Sequence, residues 1–314
     1  MKNKLALSTS WISWREPHAE KMIDEIKSYG FDTIELDFSL TTEMVEQILA
    51  CVNRGDISVC SLHNFCPLPD DVSRKHASPN IYLISDKNPE LRQKAVTATL
   101  RTIDYAVKFG AKAVVMHCGE IPLKNRTGKL IRLLERDKTE TMRFAMIKSK
   151  LFRERERYRQ EYMQYTLKSL DQINTYAVKN NILIGIENRY HAHEIPDLEE
   201  IFYIFTQFEG GNLYYWHDVG HAQMMENLNI FYHEEYIASF KNRIAGIHIH
   251  DIVRSSDHRA PGTGTFDFSR IAPFLRQDIV KVLEIHHPTA PSELKYGLQY
   301  IKPFLEDKPD EGNN

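Results

Sequence analysis

The chain has 314 residues, 42% hydrophobic and 26% charged, with a formal net charge of −3 and a pI near 6.5. This is long for an ordinary single domain but normal for one α/β barrel with insertions, and the composition provides ample core. The slight acidity gives no overall attraction for nucleic acid, and no run approaches the ~18 apolar residues of a membrane span.

The segment LALSTS (5–10) reads as a first strand. Its basic tip and brief apolar run make a weak signal peptide, because Trp14, Arg15, Glu16 and Pro17 follow at once. The loop SWISW then carries Trp11 and Trp14, aromatics that either stack on a sugar face or pack at the mouth of a barrel. Helical patterns over Ala19–Tyr29, Thr42–Val52 and Pro89–Phe109 alternate with apolar, β-branched runs at 32–38, 57–63 and 111–117. A helix over Tyr158–Lys179, a strand at 182–187, a helix over Leu198–Phe208 and strands at 213–218, 244–250 and 279–286 follow. The near-continuous apolar character of these strands fits a parallel sheet covered by helices. Eight such strands predict a (β/α)8 TIM barrel over 1–305, followed by a polar tail at 306–314. A doubly wound sheet is the alternative, but STSWISWREPH after the first strand lacks its glycine-rich fingerprint. The four cysteines, Cys51, Cys60, Cys66 and Cys118, form no CxxC pair and no disulfide framework, which suits a reducing, cytoplasmic setting.

One segment breaks the rhythm. Ile121–Gln160 reads as an extended insertion after strand four, with thirteen Lys/Arg and five acids, a local excess of +8. The run RERERYR (153–159) reads first as a solvated helix face with i,i+4 pairs. The other readings are a lid or wall that offers Arg groups to an anionic substrate, or a surface that packs against a second subunit of a homo-oligomer. An insertion after a barrel strand emerges at the face where catalytic groups of this fold collect.

The strand ends carry the chemistry. His63, His117, Glu187 and Asp218 close strands three to six, His248 lies in strand seven and Glu284 in strand eight. The last four are 31, 30 and 36 residues apart, about one βα unit each, which sets them around one ring at the barrel mouth. In YYWHDVGHAQ (214–223), Asp218 and His221 stand three apart. A turn explains that segment alone, and a metal site explains it together with the others. A lone strand-end histidine is ordinarily a hydrogen-bonded surface group. Glu187 and Glu284 differ, because a carboxylate inside an apolar strand requires a cation, either Arg189 or a metal. Two glutamates, Asp218 and His248 make a mixed O/N donor set for Mn2+, Co2+, Zn2+ or Mg2+.

The stretches SLHNF, GIENR, HDVGHA, GIHIHD, DHRAPGTGTFDF and LEIHH, with NPELRQKAV and AVVMHCG, occur in an order that resembles the xylose isomerase-like barrels. That family includes sugar (phosphate) isomerases and epimerases and the metal-dependent apurinic endonucleases. The resemblance implies that Glu187, Asp218, His248 and Glu284 are the four metal ligands of the epimerases, with Glu187 and Glu284 as the acid/base pair. It implies a further metal or substrate role for His63, His117, His221 and His258, with Arg189 orienting substrate. The endonuclease pattern has an Asp two residues before His258, where this chain has Ser256; Asp257 is displaced by one. The third endonuclease metal site is thereby left a ligand short. His250 falls where the family has Asn or Lys and is not counted as a ligand.

The expected activity is a metal-dependent isomerisation or epimerisation of a small sugar, sugar phosphate or related polyol, by proton transfer between carboxylates. The alternatives are cleavage of abasic DNA, against which the acidic balance and Ser256 argue, and sugar binding without turnover.

Overall fold

The computed structural model describes residues 5–124 and 126–305; the polar tail predicted at 306–314 lies outside them. Eight strands close a parallel barrel in the order β1 (Leu5–Ser8), β2 (Thr33–Leu36), β3 (Ser58–His63), β4 (Ala113–Met116), β5 (Leu183–Glu187), β6 (Leu213–Asp218), β7 (Ile244–Ile249) and β10 (Val280–Leu283). A short antiparallel hairpin, β8 (Asp251–Val253) and β9 (Ser256–Arg259), stands between the last two.

The outer ring holds α1 (Ala19–Ser28), α2 (Thr42–Asn53), α3 (Pro89–Phe109), α4 (Thr127–Leu134), α5 (Met142–Asn180), α6 (Leu198–Gln207), α7 (Val219–Asn227), α8 (His233–Ser239) and α9 (Pro291–Leu305). Local chemistry sets the ends. Asn88 caps α3 through Glu90 N with Pro89 in the first turn, and Gly110 ends it in the left-handed region at φ +64°. Asp197 and Glu200 form a capping box on α6. No helix of the described residues is long and apolar enough to cross a membrane.

Two elements depart from expectation. The helix predicted from Tyr158 begins at Met142, where Thr141 accepts a hydrogen bond from Phe144 N at 3.3 Å. The insertion is therefore α4 plus the first turns of α5. Arg155, on the buried face of α5, meets Glu200 (2.7 Å) and Asp197 (2.8 Å) and ties this helix to the start of α6. After β7, the β8–β9 hairpin and two 3-10 turns (Phe268–Arg270, Ala272–Phe274) stand where a strand–helix repeat would put a helix.

Side chains on a strand alternate in direction, so residues two apart share a face. The inward set includes Ala6, Ala113, Val115, Trp216, Val280 and Val282, a small apolar cluster that fills the lumen beneath the mouth. Trp216 is fully buried there, and the neighbouring strands carry Gly185 and Gly246 beside its ring. Counting two residues onward from Val115, Gly185, Trp216, Gly246 and Val282 gives His117, Glu187, Asp218, His248 and Glu284. The packed lumen is thus the floor of a polar ring.

Candidate metal centre

Asp218 and His248 are register partners on adjacent strands, and the ring closes around His248. Its Nδ1 lies 2.7 Å from Glu187 Oε1, 3.0 Å from Glu284 Oε2 and 3.6 Å from Asp218 Oδ2. All four residues are buried, and one donor atom from each falls within 4.8 Å of the others. Burial alone would raise the three carboxyls. The neighbouring histidine rings outweigh burial and hold all three below their ordinary values: His117 and His248 at Glu187, His221 and His250 at Asp218, and His248 and His258 at Glu284. Burial pushes His248 down, but Glu284 and Glu35 push it up further, well above a free imidazole.

Asp218 has two roles. Its Oδ1 accepts from His221 N at 2.7 Å and caps α7, while Oδ2 faces the ring. Turn chemistry and ligand chemistry are therefore combined in YYWHDVGHAQ. Asn188 fixes the Asp218 backbone from both sides, donating to its carbonyl (2.9 Å) and accepting from its N–H (2.7 Å).

The other predicted histidines join the same ring. His117 Nε2 lies 2.8 Å and His63 Nε2 3.9 Å from Glu187 Oε2, and these three form a second donor group. Arg189 Nη1 reaches Glu187 Oε2 at 2.8 Å and its Nη2 reaches Glu194 at 3.2 Å, so Arg189 is a buried counter-charge to both. His221 and His258 form a third group with Asp257, at 3.9 and 3.5 Å from its Oδ2. Despite the one-residue displacement from Ser256, Asp257 thus stands beside both histidines. His258 itself adopts φ +51° in β9.

Ring tautomers give a fit test for metal ions. Asn80 must turn its amide nitrogen to Glu194 (3.0 Å), since a carboxylate only accepts, which leaves its oxygen to accept from His117 Nδ1 at 2.8 Å. His63 Nδ1 donates to Asn64 O (3.1 Å) and His221 Nδ1 to Asn188 O (3.0 Å). Burial and nearby Arg189 drop His117 to a pKa of about 3, so it is neutral. Its Nε2 then presents a bare lone pair to Glu187, and His63 and His221 turn Nε2 the same way, toward Glu187 and Asp257. Lone pairs aimed at carboxylates repel unless a cation lies between them, and histidine ligands are ordinarily oriented by such Nδ1–H bonds. The residues fit divalent metal ions.

Two participants were missed in the sequence. Glu35 in β2 is fully buried and sits 3.0 Å from His248 Nε2, with Ser61 Oγ donating to its other oxygen at 2.7 Å. The signal was available: TIEL puts a carboxylate inside an apolar strand, as in GIENR. His250 is also part of the ring. Its Nδ1 accepts from His258 N (2.9 Å), so its proton is on Nε2, which donates to Asp218 at 3.0 Å. In that state His250 positions Asp218 and has no free lone pair for a metal.

Beside the third donor group, a concavity lies between β9 and the segment after β10. A pocket of about 190 Å3 lies there, lined by Asp257, His258, Arg259, His286 and His287 among others. Trp11 is buried and its indole N–H donates to Thr289 O (3.1 Å), whereas Trp14 is half exposed and meets His287 at 3.5 Å between ring centres, the rings tilted by 34°.

A family model described as Xylose isomerase-like TIM barrel matches residues 23–304. The chain belongs to the xylose isomerase-like TIM barrel family. Among solved structures of this fold, a 3-keto-D-glucoside 4-epimerase from E. coli aligns with 96% of this chain and 100% of its own, at 15% identity and a TM-score of 0.67. A D-tagatose 3-epimerase-like protein aligns over 97% of both chains at 18% identity and TM-score 0.68. A D-psicose 3-epimerase from Clostridium cellulolyticum H10 aligns over 98% of this chain and 100% of its own, at 14% identity and TM-score 0.65. At these identities the likeness is one of fold. No curated protein matches the sequence.

Proposed function

We propose that this member of the xylose isomerase-like family is a divalent-metal-dependent isomerase or epimerase of a small sugar, sugar phosphate or related polyol. The carrying observation is that Glu187 and Glu284 approach one point from two strands, 2.7 and 3.0 Å from the same His248 nitrogen. The sugar epimerases that share the fold support the reading. A divalent cation held by Glu187, Asp218, His248 and Glu284 would supply Lewis acidity toward a carbonyl and its neighbouring hydroxyl.

The chain's own residues divide the rest of the work. Glu187 is restrained by His117, Arg189 and His248. The second oxygen of Glu284, Oε1, lies 3.7 Å from Nε2 of His286, a residue that lines the pocket. In this reading Glu284 takes a proton from a substrate carbon and Glu187 returns it on the other side. Burial excludes water from both, which protects a carbanion-like species from leakage. Trp14 offers an aromatic face beside the pocket for a sugar ring.

A second reading has its own observation. Asp257 completes a third donor group with His221 and His258, as phosphodiester hydrolysis by several metal ions would use. One experiment separates the two. The metal-loaded protein is incubated in deuterated water with a panel of ketoses and aldoses, and NMR follows exchange at the carbon next to the carbonyl. The isomerase reading expects exchange that Glu284→Gln abolishes. Cleavage of an abasic-site oligonucleotide with no exchange on any sugar transfers the assignment to hydrolysis. Saturable sugar binding with neither activity leaves a binding protein.

A further inference from the structure

The insertion contains a second concavity that the metal centre does not use. Between α4 and the first turns of α5 lies a cleft of about 420 Å3, and six cations line it: Arg126, Lys129, Arg132, Arg136, Arg143 and Lys150. Lys129, Arg132 and Arg136 are spaced three and four residues apart, and Arg143, Met146 and Lys150 repeat that spacing, so each segment turns one face to the cleft. No residue that lines the cleft belongs to a donor group of the metal centre.

The charge is not internally matched. Arg126 pairs with Glu154, whose carboxyl is held low first by that bond and, more weakly, by Lys124 and Lys150. Among the described residues, Lys129, Arg132, Arg136, Arg143 and Lys150 have no ion-pair partner. The contrast lies on the same helix: Arg155 and Arg159 are met by Asp197, Glu199 and Glu200. Among the described residues, the fold supplies several carboxylates where α5 packs on α6 and only Glu154 where α4 and α5 bring like charges together. Like charges three or four apart on a helix oppose folding unless an anion offsets them.

The shape narrows the ligand. The cleft has the volume of a small-molecule site rather than a flat polyanion track. Four of its six cations are arginines, whose planar forks fit phosphate oxygens in pairs. Met146 and Ile147 add an apolar patch to the lining. We propose that the α4–α5 cleft binds a small multivalent anion carrying two or more phosphate groups, at a site separate from the metal centre. The proposal does not rest on the isomerase reading, because its test reads binding and not turnover.

The test is isothermal titration of the full-length, metal-loaded protein with inorganic pyrophosphate, in parallel with an Arg132→Gln/Arg143→Gln variant of equal metal content. Orthophosphate, citrate and a short single-stranded oligonucleotide are the comparison probes. The expected result is one saturable pyrophosphate site per chain, weakened at least tenfold in the variant and by added salt, with orthophosphate and citrate weaker. Equal binding by both proteins assigns the pyrophosphate to the metal centre and overturns the proposal, as does the lack of a saturable site. Citrate or oligonucleotide binding at least as tight as pyrophosphate also overturns it, in favour of a general anion surface or a nucleic-acid contact.

Discussion

Glu35 lies 3.0 Å from Nε2 of His248, on the side of the ring opposite the carboxylates that surround Nδ1. Glu35 accepts the Nε2 proton and so leaves Nδ1 as the nitrogen aimed into the donor set. Glu35→Leu removes that acceptor and frees the ring to turn or change tautomer. The expected loss of metal affinity is about 10–100-fold, the range for partners of ligating histidines. Glu35→Gln, which still offers an oxygen, is expected to lose less. Chelator competition measures both, and equal affinity in Glu35→Leu and the unmodified protein would show that Glu35 does not orient His248.

Asp257 offers a count rather than an affinity. Its Oδ2 stands 3.9 Å from His221 Nε2 and 3.5 Å from His258 Nε2, outside the four-residue set around His248. Asp257→Ala is expected to lower the metal content by one ion per chain and to leave the ion at Glu187, Asp218, His248 and Glu284 in place. Elemental analysis after dialysis reads the difference. Identical metal content in the two proteins would make the third group a substrate contact.

The barrel was legible because two periods coincide: one strand per unit along the chain, and one inward residue in two along each strand. Those periods placed Glu187, Asp218, His248 and Glu284 on one ring before any coordinates. Glu35 escaped although it carries the same signature, because it stands one position before the end of β2 rather than at the strand end where the other ring residues stand out. Asp257 was visible but set one residue out of place, because a fixed motif spacing ignores what a hairpin backbone can absorb, here beside the left-handed His258. The first turns of α5 escaped because its core-facing stripe reads Phe144, Leu151, Arg155, and a charged residue there breaks the apolar pattern. Only the carboxylates at Asp197 and Glu200, about forty residues later, make that arginine a core residue.

Arg270 gives a pH-dependent contact away from the metal centre. Its Nη2 lies 2.8 Å from Glu226 Oε2, and Nε and Nη2 reach the two oxygens of Glu234. Burial raises the Glu226 carboxyl, but the Arg270 hydrogen bond helps bring it below its ordinary 4.5, and the same arginine lowers Glu234. Folded values below the unfolded ones mean stabilisation that is complete above about pH 4.5 and lost as pH falls through the folded values. Arg270→Gln is therefore expected to be less stable at neutral pH, by about 1 kcal/mol or less for groups this solvated. The deficit should shrink as pH falls below 4.5. Urea titrations of both proteins across that range read it, and a deficit independent of pH would assign it to lost packing of the arginine stem.

Gly246 is the position where the lumen leaves no room. A Cβ there would stand 2.3 Å from Trp216 Cζ3 and 2.4 Å from its Cη2, and the indole is fully buried, with a Cβ at Gly185 on the other neighbouring strand 2.7 Å from its Cε3. Gly246→Ala must displace the ring, and overpacking of this kind costs about 1–3 kcal/mol. The effect reaches the site, because the indole stands edge-on to His248 at 5.2 Å between ring centres. The expected outcome is a lower melting temperature together with weaker metal binding. Adding Trp216→Phe removes the clashing ring edge, so the double variant should regain part of both losses. A double variant as impaired as the sum of the two single ones would mean that the glycine serves the strand backbone rather than the indole.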